Sequence, residues 1–190
     1  MKIKIKLDGV TPLILNKFTD EAALSASSGS RAFNIAGDKG SPKDQATKKL
    51  YLSTDGKTEI LPSPNVFSCI IAAGTFHKAG KSKITTQKSS LIPACVSIDE
   101  IEIPIISKDG WCVDTRAVRI PSTGGRILAH RPIYNDWSLA FTLELDEEFM
   151  SENLIRRIID DAGKRIGLGD FRPSCKGPYG KFVVTKWDKE

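Results

Sequence analysis

The chain has 190 residues, 40% of them hydrophobic, enough to bury a sizeable core in one domain over residues 1–190; 28 Lys plus Arg against 23 Asp plus Glu leave a formal net charge of +5. That excess leans toward a polyanionic partner without requiring one. No run approaches the ~20 apolar residues of a membrane helix, lysines interrupt the N-terminal apolar residues, and Cys69, Cys95, Cys112 and Cys175 form no C-x-x-C pair; the expectation is a cytoplasmic protein with reduced thiols and no membrane, metal or cofactor.

In "KIKIKLDGV", Ile3, Ile5 and Leu7 alternate with Lys2, Lys4 and Lys6, the pattern of a half-buried strand with a basic outer face. From Thr19 to about Lys49 the chain turns small and polar, which predicts an extended insertion, and Asp55-Gly56 between short apolar runs predicts a tight hairpin; together they make an insertion over residues 19–60. A first helix is expected from "PSPNVFSCIIAAG", with Ser63 as cap, Pro64 at its first position, a buried face of Phe67, Ile70, Ile71 and Gly74, and a stop at Gly80. "ACVSIDEIEIPII" and "WSLAFTLEL" read as strands. A second helix begins near Ser151 and aligns Leu154, Ile155, Ile158, Ile159, Ala162 and Ile166 on one face, and "YGKFVVTKW" is the last strand. The order strand, helix, strand, strand, helix, strand predicts an α+β chain of ferredoxin-like or RRM-type: a four-stranded antiparallel sheet with two helices on one face.

Three basic features stand apart from this frame. "GLGDFRPSCKGPYGKF" places Gly167, Gly169, Gly177 and Gly180 beside Arg172 and Lys176. Glycine-rich backbone forms concavities in which N–H groups reach an anion, so this loop is a candidate phosphate site, although a turn that only reverses the chain would carry the same residues. On the phosphate reading, valine at Gly169 or Gly177 lowers affinity and leaves the fold intact. "TRAVRIPSTGGRILAHRPIYN", within a hairpin over residues 112–135, has no Asp or Glu and carries Arg116, Arg119, Arg126, His130 and Arg131 around a Ser122-Thr123-Gly124-Gly125 tip. Guanidinium groups suit phosphates through paired donors. Lys78, Lys81 and Lys83 form a third, smaller cluster.

The glycine-rich loop before the last strand, together with the helix lead-in "ILPSPNVFSCIIAAG", resembles the RAMP superfamily, and within it the Cas-seven-like backbone subunits of CRISPR effector complexes. The resemblance covers most of the chain as topology, and it fits a short phage or mobile-element relative. It implies that copies stack head to tail along single-stranded guide RNA, beside other effector-complex subunits, gripping phosphates and inserting a thumb hairpin, here residues 112–135. Single-stranded DNA is the other strand that such a surface would hold. The middle strands lack the paired aromatics with which an RRM stacks bases, so recognition of the backbone is expected.

Sister RAMP proteins cut RNA with a histidine, and some backbone subunits use a loop aspartate with a metal ion. Here His77 and His130 lie far apart in sequence with no recognisable nucleophile–base set, so no catalytic residue is assigned; Asp38 and Asp44 occupy the insertion where a cleaving aspartate would sit. An endoribonuclease, a phage single-stranded DNA-binding protein and an adaptor for an acidic protein partner remain alternatives to the backbone-subunit reading.

Overall fold

The computed structural model describes residues 1–18, 40–119 and 124–190. Asp38, Ser122 and Thr123 lie outside the described residues, as does the insertion from 19 to 39. In chain order the elements are β1 (Lys2–Gly9), β2 (Leu13–Ile14), α1 (Pro42–Thr47), β3 (Ile60–Pro62), α2 (Ser63–Ala73), β4 (Lys78–Ala79), β5 (Ser82–Lys83) and α3 (Ile92–Cys95). They continue with β6 (Val96–Ile98), β7 (Glu102–Pro104), β8 (Trp111–Arg119), β9 (Arg126–Tyr134), β10 (Ser138–Leu145), α4 (Glu152–Asp161) and β11 (Phe182–Lys189).

A four-stranded antiparallel sheet in the order β11-β1-β10-β6 makes the fold α+β. The alternation in β1 decides which side of it is wet. Ile3, Ile5 and Leu7 are buried opposite Leu143, Phe141 and Leu139 of β10. The same core takes Val66, Cys69, Ile70 and Ala73 from α2 and Ile155, Ile158 and Ile159 from α4. Each large aliphatic side chain so buried contributes about 1.5–3 kcal/mol. Lys2, Lys4 and Lys6 fall on the other side, where Asp99, Glu190 and Asp8 pair with them. The basic strand face is therefore neutralised by the chain itself. Facing outward beside it, β10 offers Ala140, Thr142 and Glu144, none of them aromatic.

Local differences from expectation have local causes. The α2 helix starts at Ser63 with Pro62 in the cap position and no side-chain cap, because the Ser63 amide donates to the Ile101 carbonyl at 2.9 Å. It ends at Ala73, a short 3-10 turn (Gly74–Phe76) follows, and Gly80 serves the β4–β5 turn at φ 61°. Phe67 and Ile71 sit only at the margin of the buried face.

The run expected as one strand after α2 is broken into α3, β6 and β7. The Glu100 carboxylate accepts the Thr142 amide at 2.7 Å, ending the pairing of β6 with β10, and β7 then pairs with β3 instead. Within the insertion, Ser41 and Asp44 form a reciprocal capping box that starts α1. Ser41 is the N-cap and Asp44 the third helical residue, whose carboxyl the Ser41 hydroxyl and amide hold below its ordinary value.

The α4 helix follows its expected face closely, then widens into a π-helical turn, Ala162–Ile166. Gly163 permits this turn, since a Cβ there would collide with the Phe182 carbonyl. No helix among the described residues is long and apolar enough to cross a membrane.

Candidate nucleic-acid interface

A second sheet, β2-β9-β8, carries the arginine-rich hairpin. Side chains in a strand alternate between faces, so the register sorts the expected cations into two sets. Asp114 lies opposite Arg131, and Arg116 shares their face; His130 opposite Thr115, and Arg119 opposite Arg126, lie on the other. The first set meets the glycine-rich loop. Arg116 Nε donates to Asp114 Oδ1 at 2.7 Å, its Nη2 donates to the Tyr179 hydroxyl, and its guanidinium lies 4.8 Å from the centre of the Tyr179 ring.

Arg131 departs from the phosphate-binding expectation. It is 5% exposed, donating to Asp170 Oδ2 at 2.8 Å and to Asp114 Oδ2 at 3.1 Å. Two carboxylates and burial leave it no surface for a phosphate; it joins the hairpin to the loop. His130 is also engaged, with Nδ1 2.8 Å from the Thr115 hydroxyl and its carbonyl accepting from Lys49 Nζ at 2.9 Å. Arg119 and Arg126 are exposed, and three residues of strand place Arg119 about 10 Å beyond Arg116.

Gly167, Gly169 and Gly177 lie in the loop before β11, where much of the backbone is engaged within the chain. The amides of Leu168, Asp170, Gly177, Tyr179 and Gly180 donate to carbonyls of Gly180, Ile14, Arg172, Phe171 and Pro12. These five amides are therefore committed internally. What approaches the glycines is the chain itself. Gly169 sits at φ 73° with room taken by the Ile14 carbonyl, and the Phe171 carbonyl occupies the space of a Cβ at Gly177. The glycines thus shape a closely packed shelf, on which Arg172 is half-buried and donates to the Gly169 carbonyl at 2.7 Å, while Lys176 is exposed at φ 62°.

Beside the shelf opens a cleft of about 650 Å³ between α2 and the loop. Asn16, Asn65, Ser68, Asp170, Arg172 and Ser174 supply its polar wall. Asn65 belongs to the first turn of α2, where the helix dipole favours negative charge. Cys69 also lines the cleft, but burial pushes its thiol up to about 12, so it stays protonated and is no nucleophile near neutral pH.

Lys78, Lys81 and Lys83 are exposed on the β4–β5 hairpin. That hairpin follows the C-terminal end of α2, and its three lysines are not among the residues that line the cleft. His77 is near the same end, its Nε2 3.0 Å from Asp161 Oδ2. Among the described residues, no group of His, Cys, Asp and Glu converges as a metal site.

Tyr179, Phe171, Asp114 and Asp170 are the residues that charge counting passes over. Asp114 is the acid just before the acid-free segment, and Phe171 and Tyr179 are the two aromatic rings between Gly167 and Gly180.

No protein-family profile matches the chain, and no curated protein does. The fold has a solved counterpart. It is similar to a chain in the cryo-EM structure of the Type III-B Cmr-beta bound to cognate target RNA, with a TM-score of 0.56 and 11% identity. The match covers 98% of this chain and 59% of that one, so this chain spans less than two thirds of its counterpart's length. At such identity the likeness is one of fold.

Proposed function

We propose that this chain binds single-stranded nucleic acid, guide RNA in the first instance, along its phosphate backbone, and assembles head to tail on it as a backbone subunit of a CRISPR-effector-type complex. The observation that carries the reading is the joining of hairpin to glycine-rich loop, through Arg116 on Tyr179 and Arg131 between Asp114 and Asp170, beside a polar cleft. The fold likeness to a chain of an RNA-bound assembly supports a nucleic-acid ligand for that surface.

On this reading the β11-β1-β10-β6 order is the ferredoxin-like, RRM-type arrangement, residues 19–60 are its insertion and residues 112–135 its thumb. Phosphates run past Arg172 and Lys176 on the shelf, past Asn65 at the positive end of α2 and past Ser68 farther along that helix. Arg119 and Arg126 reach the strand farther along. The central sheet takes no part in base reading, since its outward lysines are paired and its outward β10 positions carry no ring.

A head-to-tail contact between identical subunits propagates unless its rotation closes. Native mass spectrometry with single-stranded RNA of increasing length is expected to show subunits added in fixed increments of length. A one-to-one complex at every length would remove the backbone-subunit part of the proposal, and the same series on single-stranded DNA decides between the two ligands.

A further inference from the structure

Phe171 is one of two non-glycine described residues with positive φ, at 50°, and the surrounding chain holds it there. Its amide donates to Asp170 Oδ1 at 2.8 Å, its carbonyl accepts the Tyr179 amide at 3.3 Å, and that carbonyl fills the space a side chain at Gly177 would need. Asp170 is itself fixed by Arg131. A bulky residue rarely adopts such a backbone unless its surroundings over-determine it, and such positions concentrate at ligand sites.

The ring gained by this arrangement is not used in a core: Phe171 is 39% exposed. Behind it, at a centroid distance of 6.0 Å and a tilt of 51°, stands Tyr179, already committed to Arg116 through both its ring and its hydroxyl. The next residue is Arg172, and Lys176 follows on the same loop.

We infer that Phe171, backed by Tyr179 and Arg116, is a stacking platform for one unpaired nucleobase of the bound strand. The inference rests on the single-strand reading above and adds to it, because phosphate contacts alone do not call for an exposed aromatic ring. Every base has a flat π-face, so such a platform accepts bases without regard to identity. The neighbouring cations meet the phosphates that flank a stacked base, whereas an aromatic side chain of a protein partner would bring them no anion.

The test compares fluorescein-labelled oligouridine with a strand of equal length and charge whose riboses are abasic, by anisotropy, across a salt series. The wild-type protein is expected to bind the base-bearing strand about tenfold more tightly. Phe171→Gly, which removes the ring and suits the positive φ, is expected to abolish that preference while binding the abasic strand as the wild type does, and Phe171→Trp is expected to keep it. Equal wild-type affinity for the two strands, a preference that survives Phe171→Gly, or one lost equally in Phe171→Trp overturns the platform and leaves phosphate binding standing. Salt-insensitive or absent binding of both strands overturns the single-strand reading itself, and the platform with it. The wild-type comparison stands even if a variant fails to fold.

Discussion

Asp114→Ala is expected to lower folding stability by about 3 kcal/mol, the scale of removing one partner from a buried ion pair. The side chains of Asp114 and Arg131 are 8% and 6% exposed, so solvent screens the pair little and cannot readily replace the lost carboxylate. What remains is Asp170, whose side chain is 32% exposed and whose attraction is correspondingly screened. In a domain of this size the loss corresponds to a fall of roughly 6–12 °C in melting temperature. Removing both charges in Asp114→Leu with Arg131→Met is expected to recover much of it, since paired burial of charge is costly in itself. Thermal melts of the three proteins read this directly. A single variant that melts with the wild type would mean that the pair is solvated and does not tie the hairpin to the loop.

Gly169→Val is expected to cost roughly 2–5 kcal/mol, the sum of left-handed strain and overpacking against fixed backbone. At φ 73° a β-branched residue is strained at the outset, and its Cβ would overlap the Ile14 carbonyl, which already accepts the Asp170 amide at 2.7 Å. Gly177→Val meets the Phe171 carbonyl in the same way. These variants report on the fold before they report on a ligand, which reverses the expectation drawn from glycine content alone. Gly56→Ala separates the two contributions: Gly56 has φ 72° with open space around it, so only the strain of about 1–2 kcal/mol is expected there. Chemical denaturation of all three decides the matter. Equal, small losses would mean that the loop can move away from β2.

Where one face is apolar and the other charged over a whole element, the sequence was enough to read the structure. Ile155, Ile158 and Ile159 of α4 and Ala162 and Ile166 of the π-helical turn are buried as their spacing demands, with Leu154 partly so, and Ile3, Ile5 and Leu7 of β1 likewise. The break between β6 and β7 was not readable, because it depends on the Glu100 carboxylate capturing the Thr142 amide, a side-chain event that leaves no mark on periodicity.

The candidate site divides similarly. Charge counting found the arginines of the hairpin, but strand register decides their faces, and Arg131 is withdrawn by carboxylates 17 and 39 residues away. Glycine content located the loop and its permissive backbone. It could not say that the approaching groups would be the carbonyls of Ile14 and Phe171 and not a phosphate.

The most direct test of nucleic-acid binding is the salt dependence of affinity for a single-stranded RNA, in the wild type and in a variant with alanine at Arg119, Arg126 and Lys176. All three are exposed, so the variant is expected to fold normally. If each neutralises one phosphate, the negative slope of log affinity against log salt should become shallower by about 2, at ~0.7 per phosphate on a single strand, with no gain of sequence preference. An unchanged slope, or wild-type affinity indifferent to salt, would contradict the account.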